Sequence, residues 1–285
     1  MAGELDGEGR LNLVSFGDDS CRDAKLRLLN QAIDCRSFKR IWVWGEEDLD
    51  PAFRQRHSGI LSSNIRGFGY WIWKPQVVLQ ALGELDQGDV LLYLDAGCHL
   101  NPVHRDGLGR YSSRVAASRF GVLCSETPFK ESNWAKGDLI DFMGVRESRL
   151  ILNTGQRQGG VVFYQKRPNV VAFVEEWLAI CEQNLRLIDD SPSISTNEPG
   201  FIENRHDQAV FSILSKQYGA STFHWSELHR WESSLVSRPP FWYPIEARRD
   251  RYPRRQIRIT SRILGGMRDL LRSEVCADFR AQNTN

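Results

Sequence analysis

The chain has 285 residues, 41% hydrophobic and 26% charged, with a net charge of +1, enough for one large domain with a modest appendage and typical of soluble globular proteins. No apolar run nears the roughly 20 residues that cross a bilayer, and residues 1–10 have neither the basic nor the apolar region of a signal peptide. Six scattered cysteines without a C-x-x-C pair argue against a zinc ribbon or a disulfide framework, so the expected setting is a reducing cytoplasm.

Leu11-Asn12-Leu13-Val14-Ser15-Phe16 reads as a buried strand that stops at Gly17-Asp18-Asp19-Ser20. Leu26, Leu29, Ala32 and Ile33 then fall at helical spacing, and the helix closes near Cys35. Residues 39–44 form the next strand, ended by Gly45 and a run of acids. Strand, helix and strand in this order imply a parallel sheet with right-handed crossovers. A loop rich in Ser, Asn and Gly covers residues 57–69. Pro75 is placed as the first residue of a helix carrying Val77, Val78, Ala81 and Leu82, where its missing N–H does no harm. Val90-Leu91-Leu92-Tyr93-Leu94 is a continuous apolar run, as in a central parallel strand, and it ends in Asp95-Ala96-Gly97. Further strands are expected at 121–124 and 160–164, and helices at 168–185 and 207–218. Residues 188–199, polar with Pro and Ser throughout, predict a mobile surface loop.

Ligands of open α/β sheets bind beyond the carboxyl ends of the strands. Ser15-Phe16-Gly17 offers an aromatic ring and flexible backbone suited to a nucleobase. Asp95-Ala96-Gly97 offers a carboxylate followed by residues too small to obstruct a bulky ligand; the alternative is a plain turn aspartate. Trp134-Ala135-Lys136-Gly137-Asp138 reads either as a sugar platform with two charges or as a helix start capped by Asp138.

Four stretches carry a family resemblance: Gly67-Phe68-Gly69-Tyr70-Trp71-Ile72-Trp73-Lys74-Pro75, then Gly88-Asp89-Val90 through Asp95-Ala96-Gly97, Gln158-Gly159-Gly160-Val161-Val162-Phe163, and Arg205-His206-Asp207-Gln208-Ala209-Val210-Phe211-Ser212. Together they resemble a family of bacterial GT-A-type glycosyltransferases associated with capsule and lipopolysaccharide synthesis. The resemblance implies an α/β fold, a Rossmann-type mixed and mostly parallel sheet flanked by helices, over residues 10–235. It also implies transfer of a sugar from a nucleoside diphosphate sugar to a hydroxyl of a glycan or glycolipid. The donor would meet Ser15, Phe16, Gly17, Trp73, Lys74, Asp95, Ala96, Gly97, Gln158, Gly159 and Gly160. Of Trp71 and Trp73, one is expected in the core and the other at the donor. The acceptor would meet Trp134, Lys136 and Asp138. His206 and Asp207 read either as a helix start with an N-capping carboxylate or, with Asp95, as catalytic groups that bind the sugar or take a proton.

GT-A enzymes generally end a central strand in Asp-x-Asp, which binds the ribose and a Mn²⁺ or Mg²⁺ on the diphosphate. Here Gly97 stands where the second Asp is expected. A metal would then need Asp95 and a histidine, with His224 the assigned partner and His99 and His206 the others considered. Alternatively, Lys74 and arginines near the end of the chain would neutralise the diphosphate without one.

Residues 236–285 are expected to form an arginine-rich extension. Between 248 and 272 lie nine arginines against two aspartates, a surplus of seven. Ile259, Ile263, Met267 and Leu270 make an apolar stripe there, and the stretch either packs on the domain or lies on an anionic membrane surface. Nucleic acid is not an expected partner. Two rival readings remain. A nucleotidyltransferase on a similar fold would need a phosphate-cradling loop after the first strand, for which Gly17-Asp18-Asp19-Ser20 is too acidic. A non-catalytic protein binding a nucleotide-sugar or another anionic ligand would suit the missing second Asp.

Overall fold

A strand that is apolar at every position must be covered on both faces, and the arrangement follows from that. A computed structural model describes residues 11–229 and 243–248. Its first half runs β1 (Leu11–Phe16), α1 (Arg22–Cys35), β2 (Ile41–Trp44), α2 (Pro51–Arg56), the turn α3 (Gly67–Tyr70), α4 (Trp73–Gly83), β3 (Val90–Leu94) and β4 (His99–Leu100). There follow α5 (Asp106–Ala117), β5 (Val122–Lys130), α6 (Gly137–Phe142), α7 (Arg149–Leu152), β6 (Gly155–Gln165), α8 (Pro168–Gln183), α9 (Asp207–Gln217), β7 (Ser221–His224) and β8 (Ile245–Glu246).

The main sheet has the order β2-β1-β3-β6-β5-β7. β1 pairs in parallel with β2 and β3, and β5 with β7, while β6 runs against both β3 and β5. The sheet is therefore mixed, mostly parallel and flanked by helices, as expected. Side chains alternate between two cores. Val14, Phe16, Leu91, Tyr93, Val162 and Tyr164 meet residues of α4, α8 and α9, whereas Leu13, Leu92, Leu94, Val161 and Phe163 meet those of α1 and α5.

Several local expectations shift. The buried face of α1 is Ala24, Leu28, Ala32 and Cys35, and Leu26 and Ile33 point outward. The helix carries two apolar stripes, and the one through Leu28 and Cys35 packs on the sheet. Pro75 is the third residue of α4, not the first, which is tolerated because no N–H of the first turn has an intrahelical partner. The strand expected at 160–164 begins earlier, at Gly155. Residues 188–199 are irregular as expected but fastened: Ile194 and Ser195 donate backbone N–H bonds to Asp138, and Gly137 N–H donates to Asn197.

Residues 67–71 are the unusual backbone. Gly67, Phe68, Gly69, Tyr70 and Trp71 all have positive φ, from 54° to 92°, so α3 winds left-handed. For each non-glycine residue this costs about 1–2 kcal/mol. Among the described residues no helix is long and apolar enough to cross a membrane. Of the stretch read as an extension, residues 243–248 join the domain, where β8 pairs antiparallel with β4. The remaining residues of that stretch, and with them the membrane-surface contact, lie outside the described residues.

Candidate active site

β3 is central, so whatever follows it opens at the middle of the sheet's carboxyl edge. The side chain of Asp95 stands there, 43% exposed. Arg27 fixes the turn behind it by donating to the carbonyls of Ala96 and Cys98. The antiparallel β6 brings Gly160 alongside: Asp95 N–H donates to Gly160 O at 2.9 Å. A Cβ at Gly160 would lie 2.5 Å from Asp95 Oδ2, so only glycine leaves room for the carboxylate.

Beneath Asp95 lies a buried ion cluster. Lys74, the second residue of α4 and 5% exposed, places Nζ 3.2 Å from Asp95 Oδ1 and 3.5 Å from Asp207 Oδ2. The second approach is an ion pair without hydrogen-bond geometry, since Asp207 Oδ2 has no hydrogen-bond partner. Tyr93 donates its hydroxyl to Asp95 Oδ1 at 2.9 Å. Burial pushes the Lys74 ammonium toward losing its proton, but Asp207 and Asp95 outweigh it and hold its pKa above the ordinary value. Burial also pushes the Asp207 carboxyl up to about 7, with the Asp95 charge adding to it against the pull of Lys74.

That shift has a testable sign. Asp207 holds its proton in the folded chain well above its ordinary 3.8. Its favourable contribution is complete below the unfolded value and is lost as pH rises through about 7. Thermal melts should therefore show Asp207→Asn gaining on the wild type as pH is raised across that interval. A constant difference would mean that Asp207 is ionised throughout.

His206 and Asp207 open α9, and both are enclosed. The His206 side chain is 3% exposed, with Nε2 2.9 Å from Asp190 Oδ1. Burial lowers its pKa despite Asp190, which favours a neutral ring. It stacks on Tyr70 (centroids 5.7 Å apart, 9° between planes) and tilts against Trp71 at 5.1 Å. His206 itself has φ 56° and ψ −131°, a conformation suited to glycine. The His206 side chain makes no capping bond to α9, and both residues are buried, unlike an open general base. Both are placed to position neighbours. Gln208 accepts from Gly159 N–H and donates to Gln156, while Gln158 accepts from Ser125.

Several expected contacts turn out otherwise. Phe16 is buried, 4.2 Å from the Trp73 ring, so neither offers a face to a base. Trp73 is the core tryptophan, and Trp71 is partly buried against the same core. Ser15 is enclosed, with its hydroxyl unpartnered. Gly17 packs by Cys21 and Ala96. The face of Trp134 is covered by Arg205, at 4.2 Å. Asp138 ties down the 188–199 segment, as described. Lys136, 1% exposed, donates to the carbonyls of Asp189 and Ser191 and to their side chains. That leaves its ammonium no face for an acceptor. Lys136→Met should cost about 3 kcal/mol of stability, measured by denaturant unfolding; an unchanged midpoint with lost turnover would restore the acceptor role.

The described residues do not fit a divalent cation. His224 lies on β7, three strands from β3, or about 14 Å. It bonds Ser226 instead. His99 faces Gln31 and His206 faces Asp190. Asp95 Oδ1 already serves Lys74 and Tyr93, Gly97 supplies no side-chain oxygen, and hard cations need several oxygens. A dication about 4 Å from the Lys74 charge would meet a repulsion on the order of 8 kcal/mol at an effective dielectric of 20. Among the described residues no group of three or more His, Cys, Asp or Glu is placed to hold a metal.

No family model and no curated protein matches the sequence. Among solved structures it is similar to a glycosyltransferase involved in glycosylation of the major capsid of PBCV-1, at 11% identity over 85% of this chain and 97% of that one, with a TM-score of 0.45. It is similar to mouse xyloside xylosyltransferase 1, at 10% identity over 83% and 96%, TM-score 0.43. It is also similar to the galactosyltransferase LgtC, at 13% over 83% and 86%, TM-score 0.42. These three are glycosyltransferases, the kind of protein the motifs resemble. At such identities and scores the likeness says nothing of individual residues, and the functional reading rests on the site itself.

Proposed function

We propose that this chain is a glycosyltransferase that takes a nucleoside diphosphate sugar as donor and a hydroxyl of a glycan or glycolipid as acceptor. The observation that carries it is Asp95. It is a half-exposed carboxylate at the carboxyl end of the central strand, held from below by Lys74 and Tyr93 and cleared from above by Gly160. Such a carboxylate suits the hydroxyls of a ribose or sugar, and it lies within the motif that carries the family resemblance. The bond from the sugar C1 to the diphosphate oxygen breaks with its electron pair passing to the diphosphate. The acceptor oxygen bonds to C1, and its proton is lost to solvent or to the departing diphosphate.

The site's own residues orient this reaction. Asp95 touches the donor, and Lys74 and Tyr93 fix its rotamer. Gly160 leaves the Asp95 carboxylate its place beside the strand, and Gln208 steadies that backbone through Gly159 N–H. Incubation with a panel of nucleotide-sugars, with chelator or with Mn²⁺, should release nucleoside diphosphate from at least one. Release from none, together with no nucleotide binding, would sink the reading.

A further inference from the structure

Three local rules are broken around Lys74, all in the same place. It lies in the first turn of α4, where the helix dipole disfavours a cation. Its ammonium is buried, which is unfavourable unless paired. The chain enters α4 through the left-handed residues 67–71, whose strain must be held by the surrounding structure. The partner helix repeats the pattern, since α9 is entered through the strained His206 and begins with buried Asp207. The two strained joints also touch, as Tyr70 and Trp71 pack on His206. Both elements are thus locked to each other where Lys74 meets Asp207. Sequences that break local rules together do so at functional positions.

We propose that Lys74 is the built-in cation of this site: it clamps Asp95 and Asp207 where a metal-dependent site would use a divalent ion, so donor turnover needs no added metal. The proposal rests on the glycosyltransferase reading and deepens it. Lys74 is a positioning residue, acting on the donor through Asp95. A second cation is unwelcome because Asp95 Oδ1 is already engaged and the nearest other carboxylate is paired to the same ammonium.

The test has two independent parts. The first titrates Mn²⁺ into the full-length protein without donor, following free Mn²⁺ by electron paramagnetic resonance. The wild type should bind none through Asp95. Binding that Asp95→Asn removes would overturn the proposal, whatever the activity. The second part measures nucleoside diphosphate release. Wild-type turnover should be equal in chelator and in Mn²⁺, and abolition by chelator would overturn the proposal while leaving the transferase reading intact. Lys74→Met should lose about 100-fold and become responsive to Mn²⁺, since the Asp95 carboxylate then lacks its counter-charge. A merely structural lysine would lose turnover with no such response. Should Lys74→Met fail to fold, the double variant Lys74→Met, Asp207→Asn also removes the buried ionisable carboxyl that lost its partner. Its turnover should still fall about 100-fold, and wild-type turnover in it would overturn the proposal.

Discussion

Asp95→Asn should lower nucleoside diphosphate release by about two to three orders of magnitude while the protein stays folded. The carboxylate is half exposed, and an amide fills the same volume. Its oxygen can still accept from Tyr93 and Lys74, and Lys74 keeps Asp207. What disappears is the negative charge facing the open edge of the sheet. The division between kcat and KM tells what that charge does. A rise in KM alone means that Asp95 grips donor and transition state equally; a matched fall in kcat and kcat/KM means the contact is made in the transition state. Undiminished turnover with an unchanged melting profile would remove Asp95 from the site.

Gly160→Ala should come close to the same loss without touching an ionisable group. The added methyl would lie 2.5 Å from Asp95 Oδ2, too close for any contact. Since Asp95 faces solvent on one side, its carboxylate swings away instead of forcing the strand apart. A displacement on the order of 1 Å can cost about 100-fold in turnover. The neighbouring Gly159→Ala is the control. Its methyl would find its nearest atoms, those of Gln208, at 3.9 Å, and the N–H to Gln208 is kept. Kinetics on the pair should show one impaired and one near wild type. Equal activity in both would mean that the position of Asp95 is of no consequence.

The frame of the protein could be read from the sequence because β3 is apolar at every position and β1 at all but Asn12 and Ser15, which implies burial on both faces. The strand-end aspartate followed from the same logic. Side-chain direction did not. A ring at the end of β1 reads equally as a nucleobase platform or as core, and only packing against Trp73 decides for the core. Alternating tryptophans at 71 and 73 resemble a strand, yet one ends a left-handed turn and the other begins a helix. Nothing in local composition announces five consecutive positive φ angles, apart from two glycines. The meeting of Lys74 with Asp207 spans 133 positions of sequence and is created where α4, packed on β1 and β3, and α9, packed on β6, flank α8. Asp190, which holds His206, lay in a stretch read only as loop. The pairing of Asp95 with His224 failed because chain order says nothing about strand order across a sheet.

The reversed direction of β6 bears on how this protein can change. Gly159 and Gly160 reach the ligand edge at the point where β6 shifts register against β5, directly before residues 162–164, which pair with both β3 and β5. Inserting or deleting one residue within 162–164 would turn the neighbouring side chains of β6 to the opposite face. That part of the wall can therefore drift by substitution but not by length. Natural or engineered variants with altered sugar preference should carry their insertions outside the doubly paired residues 162–164, for instance in the connection over residues 184–206.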